Sequence, residues 1–152
     1  TRVLEQRAAA PGVVRPEVRS RTAALTDADT TLLDKADGLL ARVRTEMDQQ
    51  AIHTALEVIW EVLGDTNKYI SVEQPWKLAK TDLDRTGTVL YVCAEVVRVV
   101  ALLAQPVMPT SCNALLDLLA VGDDREFTTV DDRLTPGTQL PNPTVIFPRR
   151  DA

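Results

Sequence analysis

The stretch TVLYVCAEVVRVVALLA, residues 88–104, decides the fold because its residues are apolar on most faces of a helix. Many of these side chains are β-branched, and they do not keep to a single stripe. A helix that is hydrophobic all round is buried in a core or spans a membrane. No apolar run in the chain reaches the roughly 20 residues that a membrane span needs. The stretch therefore predicts the central helix of a bundle, opened near Thr81 and Asp82 and ended by Pro106.

Two amphipathic stretches before this helix and one after it are predicted to surround it. The first begins at Thr26, a good N-cap, and continues for about twenty residues. The second is capped by Asp48 and ends before Pro75, because helical geometry is disfavoured in the residue before a proline. The third starts at residues 110–111 and stops at Gly122. The apolar stripes are Leu32, Leu33, Ala36, Leu39, Leu40, Val43 and Met47 in the first, and Ile52, Ala55, Leu56, Ile59, Leu63, Asn67 and Ile70 in the second.

The predicted architecture is all-α, an antiparallel bundle of four to five helices over residues 1–122. Residues 2–10 are predicted to be the last turns of one of these helices. Residues 123–152 differ in kind, because they hold four of the nine prolines of the chain and only short β-type pieces. This C-terminal tail is predicted to be irregular and to dock on another surface.

Charge is distributed unevenly along a chain whose formal net charge is −5. Residues 1–21 hold five arginines against two acids, and residues 22–66 hold nine acids against three bases. Residues 67–85 return to a slight positive excess. The net charge argues against a protein that coats nucleic acid indiscriminately. A polyanion is expected near the first or the third of these regions, and not on the acidic middle.

Most catalytic and metal-binding chemistry has no support in the sequence. His53 is the only histidine, and Cys93 and Cys112 stand apart without metal-ligand spacing, so they are predicted to be buried free thiols of a reducing compartment. No phosphate loop or dinucleotide fingerprint occurs. Carboxylates paired at helical spacing are expected on solvated helix faces, namely Asp34 with Asp37 and Glu57 with Glu61. The chain by itself is predicted to be non-catalytic.

The segment NKYISVEQPWKLAK, residues 67–80, ends the second helix and places Trp76 directly after Pro75. One interpretation is that the Trp76 ring covers the helix ends as a cap on the core. The other is a stacking platform, because single-stranded RNA is usually read by splaying its bases onto aromatic faces. Lys77 and Lys80 would then contact phosphates, which position a strand without reading its sequence.

Two neighbouring residues receive structural interpretations. Asn67 falls on the apolar stripe of the second helix, so it is predicted to be half-buried and to hydrogen-bond the backbone of a neighbouring loop. Trp60 lies inside the same helix and is predicted to sit in the core or at its edge.

Residues 26–150 resemble the anticodon-binding domain of methionyl-tRNA synthetases. The resembling segments are ALEVIWEVLGDTNKYISVEQPWKLAK and TVLYVCAEVVRVVALLAQPVMPTSCNALLDLL, and the close PGTQLPNPTVIFPRR resembles the ending of bacterial enzymes that stop after this domain. The features that carry the resemblance are Asn67-x-Tyr69, Pro75-Trp76 with Lys80 behind it, and Pro106-x-Met108-Pro109.

The resemblance implies a bundle that reads the CAU anticodon of methionine tRNA. In the family, the tryptophan of the Pro-Trp pair stacks on an anticodon base, and this position is Trp76 here. An asparagine and an arginine one helical turn apart complete the recognition; the arginine corresponds to Arg2, and the asparagine would precede residue 1. Lys77 and Lys80 join Trp76 and Arg2 as the expected anticodon-binding residues. The structural support of the site is expected from Asn67, Tyr69 and Pro75.

The resemblance also implies a parent enzyme, a methionine–tRNA ligase that attaches methionine to tRNA using ATP. Neither a HIGH-like nor a KMSKS-like sequence is present. ATP, with Mg²⁺, is therefore expected at the catalytic domain of that enzyme, and no cofactor or metal is expected in this chain. The expected partners are the anticodon loop of methionine tRNA and the catalytic domain, toward which the tail at 123–152 would run. We expect a cytoplasmic protein with no membrane partner.

Two other functions are kept as alternatives. The first is the similar bundle of another class I aminoacyl-tRNA synthetase, against which the Pro-Trp pair argues. The second is a non-enzymatic helical module for protein interaction, which class I motifs upstream in a longer reading frame would exclude.

Overall fold

The structure, a computed structural model, describes residues 24–147 and is helical. Its helices are α1 (Asp27–Asp37), α2 (Leu39–Asp48), α3 (Ile52–Glu73), α4 (Pro75–Leu78), α5 (Leu83–Ala104) and α6 (Pro109–Leu118), followed by a 3₁₀ turn at Phe127–Thr129. Within residues 24–147 no strand is formed. The predicted all-α bundle is confirmed. The predicted helical turns at residues 2–10 lie outside the described residues.

Helix α5 is the central helix, as residues 88–104 predicted. It contacts α1, α3, α4 and α6, and its buried residues fall on every face. By length and composition α5 passes as a candidate membrane span, with a mean hydropathy of 1.9 over its most apolar window, but 78% of that window is buried inside the bundle. The core helix of a bundle has the same composition because other helices surround it.

The first predicted helix is two helices, α1 and α2, separated at Gly38. Thr26 is the N-cap of α1, as predicted, and it forms a capping box in which its hydroxyl and the Asp29 carboxylate each accept a backbone N–H of the other residue. On the outer face of α1, Lys35 forms an ion pair with an acidic residue of α3; its Nζ lies 2.6 Å from Asp65 Oδ2.

The buried face of α3 shares Ala55 and Ile59 with the predicted stripe, and in the second half of the helix it lies one position away from that stripe. It consists of Ala55, Ile59, Val62, Thr66 and Tyr69. Asn67 follows Thr66 by about 100° around the helix, and its side chain is exposed. The prediction of a half-buried amide at Asn67 is therefore wrong.

Two other details of α3 bear on the sequence prediction. Asp48 ends α2 and does not cap α3; the N-cap is Ala51, without a side-chain cap, after Gln50 takes a positive φ of 60°. Trp60 is 49% exposed, so it does not lie in the core; of the two predicted positions, in the core or at its edge, only the edge is compatible with this exposure. About half of the Trp60 side chain is covered by the protein, and the other half faces solvent.

Both cysteines are free thiols, Cys112 buried and Cys93 half-buried. Burial raises the pKa of Cys112. Burial, together with the negative charges of Asp29 and Glu73, raises the pKa of Cys93 to about 12. The thiolate is the reactive form of cysteine, so neither residue is placed as a nucleophile.

The first part of the predicted tail packs on the bundle. Val130 and Leu134 are buried with the core. Two charged side chains of α5 hold this segment, namely Glu95 and Arg98, which are 1% and 2% exposed. Arg98 Nη2 donates to Glu95 Oε1 at 2.5 Å and to the Val130 carbonyl at 2.6 Å. The Leu134 N–H donates to Glu95 Oε2 at 3.0 Å. The domain division at residue 122 stays a prediction.

Candidate nucleic-acid interface

The chain reverses direction sharply between α3 and α5, and α4 lies in this reversal. Gln74 takes the left-handed conformation, with φ 47° and ψ 60°, and its N–H donates to the Ile70 carbonyl at 2.9 Å. Pro75 then occupies the first position of α4, where its fixed φ suits a helix and its missing N–H costs nothing. The Gln74 carbonyl accepts the Lys77 N–H at 2.8 Å. We call residues 74–82 the Trp76 segment.

Trp76 projects from this segment and is 57% exposed. Leu78, two residues later, packs against the hydrophobic core instead. The single turn of α4 therefore anchors one apolar side chain and presents the other. Trp76 is not a cap on the core, and that interpretation of the Pro-Trp pair is wrong.

Lys77 and Lys80 lie on the same segment, and both are exposed. Within residues 24–147 neither lysine has an ion-pair partner. Lys68, on the last turns of α3, is different because its Nζ lies 3.4 Å from Asp65 Oδ1. The positive charge next to Trp76 that is not neutralised by a carboxylate therefore comes from Lys77 and Lys80.

The base of the Trp76 segment is held by a network of buried charge. Asp29, the N3 residue of α1, is 0% exposed. Its carboxylate accepts the Tyr69 hydroxyl at 2.5 Å, the Thr26 N–H at 2.9 Å and Arg85 Nη2 at 3.0 Å, and it pairs with Arg85 Nη1 as well. Arg85 Nη2 also lies 2.8 Å from Glu73 Oε2. We call Asp29, Tyr69, Glu73 and Arg85 the Asp29 network.

The pKa values of the network follow from these contacts. Burial favours the protonated form of Asp29, but the hydrogen bonds from Arg85, Tyr69 and Thr26 outweigh it and lower the pKa of Asp29. Burial, and then the hydrogen bond to Asp29, raise the pKa of Tyr69. The hydrogen bonds to Asp29 and Glu73 raise the pKa of Arg85, against the effect of burial. Asp29 is charged, Arg85 is charged and Tyr69 is neutral at neutral pH.

The structure brings some of the predicted site residues together and not others. Pro75, Trp76, Lys77 and Lys80 share the Trp76 segment, and Tyr69 is the hydroxyl donor of the Asp29 network. Asn67 points to solvent on α3. Arg2 lies outside the described residues.

Sequence reasoning missed three members of the Asp29 network, namely Asp29, Glu73 and Arg85. In the sequence, Asp29 has the position of an ordinary first-turn acid, since acids are favoured at helix starts. Arg85 lies 56 residues from Asp29 along the chain, so no local pattern joins them. The available signal was Arg85 itself, which stands early in the most apolar helix of the chain.

Comparisons with known proteins identify the family of the chain. A family model of the anticodon binding domain of methionyl tRNA ligase matches residues 20–151. The chain is similar to the methionine–tRNA ligase of Mycobacterium tuberculosis strain H37Rv, with 57% identity over 128 residues, covering 81% of this chain and 25% of that protein. It is similar to the methionine–tRNA ligase of Brucella suis biovar 1, with 48% identity over 128 residues, covering 83% of this chain and 25% of that protein.

The backbone fold of the chain is similar to that of solved methionyl-tRNA synthetase structures. The free form of M. tuberculosis methionyl-tRNA synthetase superposes with a TM-score of 0.87 and 49% identity, over 99% of this chain and 32% of that one. The same synthetase in complex with methionyl-adenylate superposes with a TM-score of 0.86 and 51% identity, over 97% and 29%. The chain spans about a quarter of the length of the curated relatives that it matches. It belongs to the family of anticodon-binding domains of methionyl-tRNA ligases.

Proposed function

We propose that this chain is the part of a methionine–tRNA ligase that binds the anticodon loop of methionine tRNA and reads its CAU anticodon. The observation that carries the proposal is the exposed indole of Trp76, presented by a one-turn helix beside two lysines that have no ion-pair partner within residues 24–147. Exposed aromatic faces beside positive charge are what unstacked RNA bases and their phosphates require. Membership in the family supplies the identity of the RNA.

We propose a role for each residue of the site. Trp76 stacks on one base of the anticodon. Lys77 and Lys80 contact phosphates and position the loop. Pro75 fixes the start of α4, and Tyr69 supports the segment through Asp29. Arg2, which lies outside the described residues, is kept as the arginine that the family resemblance implies for anticodon recognition.

Asn67 is not assigned the supporting role that was expected of it. Its side chain is exposed, so we assign it no supporting hydrogen bond in the Trp76 segment.

The parent enzyme is proposed to attach methionine to this tRNA at the expense of ATP. The related synthetase of M. tuberculosis has been solved with methionyl-adenylate, the product that methionine and ATP form. ATP and Mg²⁺ are assigned to the catalytic domain of the parent, because the family matched by this chain is the anticodon-binding part. We propose that the tail beyond Leu134 docks on that domain, and that the enzyme acts in the cytoplasm without a membrane partner.

The alternatives are not retained. The relatives that match at 47–57% identity are methionine–tRNA ligases, which favours this enzyme over another class I synthetase. The same relatives are enzymes, which disfavours a free-standing protein-interaction module.

The proposal is tested with Trp76→Ala in the ligase that contains this chain. The variant is expected to bind a methionine anticodon stem-loop more weakly by about 1–3 kcal/mol, the range for one base stacked on an aromatic side chain. The matched control is Trp60→Ala, which removes a tryptophan of similar exposure that lies about 20 Å from Glu73 along α3. Unchanged affinity in a folded Trp76→Ala protein, or an equal loss in Trp60→Ala, would overturn the stacking role.

The lysines are tested by the salt dependence of the same binding. Lys77→Ala and Lys80→Ala are each expected to lower the slope of log affinity against log salt by about 0.7, the value for one phosphate of a single strand. They should weaken binding to any loop sequence by the same factor. Arg42→Ala is the control, since it removes a positive charge that is paired with Glu61. Glu61 lies about 18 Å from Glu73 along α3. A change in anticodon preference would contradict the positioning role.

A further inference from the structure

The Trp76 segment is closed at its base by one ion pair. Glu73 is the last residue of α3, immediately before the left-handed Gln74, and Arg85 is the third residue of α5. Arg85 Nε and Nη2 lie 3.2 Å and 2.8 Å from Glu73 Oε2. The two residues are 12 apart in the chain, and everything between them is the Trp76 segment and the start of α5.

The guanidinium that closes this base is itself fixed from a third helix. Arg85 binds both carboxylate oxygens of Asp29 on α1, in the planar two-point geometry that arginine favours. Asp29 is held in turn by Tyr69 and by the Thr26 N–H. The capping box of Thr26 and Asp29 satisfies the start of α1, so α1 does not need the pairing with Arg85 to begin its helix.

We propose that Arg85, oriented by Asp29, is a positioning residue for RNA recognition: through Glu73 it fixes the direction in which Trp76 is presented. The inference rests on the proposed function of Trp76 as the stacking platform. Arg85 does not touch the RNA in this role, because its side chain is 13% exposed and its guanidinium pairs with two carboxylates. Its effect on binding is to keep one orientation of the indole populated before the RNA arrives, and preorganisation raises affinity without adding a contact.

Glu73→Ala in the ligase that contains this chain is the decisive variant. It opens the base of the Trp76 segment but leaves Asp29 paired with Arg85, so the bundle keeps its buried charges satisfied. We expect the Kd for the anticodon stem-loop to rise about 3- to 10-fold, with an unchanged salt slope. If charge alone mattered, removing a carboxylate near a polyanion would tighten binding. The expected sign is therefore opposite to that of a purely electrostatic effect.

Asp84→Ala is the matched control, because Asp84 is an exposed acid one residue before Arg85 and outside the Asp29 network. It is expected to leave binding unchanged or to tighten it slightly. Arg85→Lys is the conservative variant, since lysine keeps the charge but not the planar fork. It is expected to bind RNA with an affinity between those of the parent and of Arg85→Met.

A measurement on the protein without RNA distinguishes a failure of the positioning role of Arg85 from a failure of the stacking role of Trp76. With 5-fluorotryptophan incorporated, the ¹⁹F resonance of Trp76 is identified by its loss in Trp76→Phe, and that of Trp60 by its loss in Trp60→Phe. Glu73→Ala should shift or broaden the Trp76 resonance and leave that of Trp60 in place. An unmoved Trp76 resonance, or tighter binding, would overturn the role of Arg85. A moved resonance with Trp76→Ala binding normally would instead overturn the stacking function on which the inference rests.

Discussion

The central helix carries two buried clusters of charge, and they stabilise different kinds of structure. Near its start, Arg85 joins carboxylates of two other helices, Asp29 and Glu73. About three and a half turns later, Arg98 joins Glu95 of its own helix to backbone carbonyls of an irregular segment. The first cluster fixes one helix relative to others beside an exposed tryptophan. The second supplies hydrogen-bond partners to a backbone that no helix or strand satisfies.

Buried charge therefore serves two purposes in one small bundle. At the Asp29 network it fixes the geometry of a surface that is proposed to bind RNA. At Glu95 and Arg98 it replaces secondary structure in the core. Variants of the second cluster should therefore change stability alone, and variants of the first should change stability and RNA binding together.

The largest expected effect is that of Glu95→Leu. It leaves Arg98 buried without its carboxylate and Leu134 without its acceptor, and breaking a buried pair on one side costs about 3–5 kcal/mol. Urea unfolding monitored by circular dichroism measures the loss. The control is Glu61→Leu, the same change in an exposed pair, expected to cost about 0–1 kcal/mol. Equal losses in the two variants would contradict the structure of the buried cluster.

Arg85→Met is expected to have a smaller effect on stability, about 1.5–3 kcal/mol, the range for hydrogen bonds to charged groups. The loss is smaller because Asp29 keeps two donors, the Tyr69 hydroxyl and the Thr26 N–H. Unlike Glu95→Leu, this variant should also weaken stem-loop binding of the folded protein, because the Trp76 segment loses the ion pair at its base. If Glu95→Leu weakened RNA binding by the same factor, the distinction between the two clusters would fail.

The smallest expected effect appears in acid. The pKa of Asp29 is lower in the folded protein than its ordinary value, so the folded state binds this proton less readily than the unfolded chain. The contribution of Asp29 to stability is therefore complete above about pH 4 and is lost as pH falls through the folded pKa. The groups facing Asp29 are Arg85, Tyr69 and, through Arg85, Glu73.

The measurement is the free energy of unfolding between about pH 6 and pH 2, near and below the ordinary aspartate pKa, for the parent and for Asp29→Asn. The difference between the two proteins should be constant above about pH 4 and should shrink below it. A difference that grows on acidification would have the wrong sign for a lowered pKa.

The parts of the fold that follow from short-range patterns were predictable from the sequence. The apolar stretch of α5 indicated a central helix, Thr26 indicated a helix start, and Pro75 indicated the end of α3. Each of these rests on geometry within a turn or two of the chain. The exact face of α3 did not follow, because a stripe shifted by one residue still collects apolar side chains, and so Asn67 was placed inside.

The candidate site was predictable only in part, for a related reason. Trp76, Lys77 and Lys80 are neighbours in sequence, so one segment displayed all three. The exposure of Trp60 was not predicted, because a helical tryptophan beside Leu56 and Leu63 has the local pattern of a core residue. The residues that hold the site, Asp29 and Arg85, meet only after three helices pack. A pairing between residues so far apart in the sequence can be identified only from the folded structure.

The buried contact between Leu134 and Glu95 has a consequence for how the molecule opens. The Leu134 N–H donates to a carboxylate inside the core, although residues 131–138 have no helix or strand. Amide hydrogens of such segments normally exchange with solvent as quickly as the surface allows. The Leu134 amide hydrogen should exchange only when α5 itself unfolds, and therefore as slowly as the amide hydrogens of the central helix. We therefore expect the cooperative unit of folding to extend past Gly122 to at least Leu134.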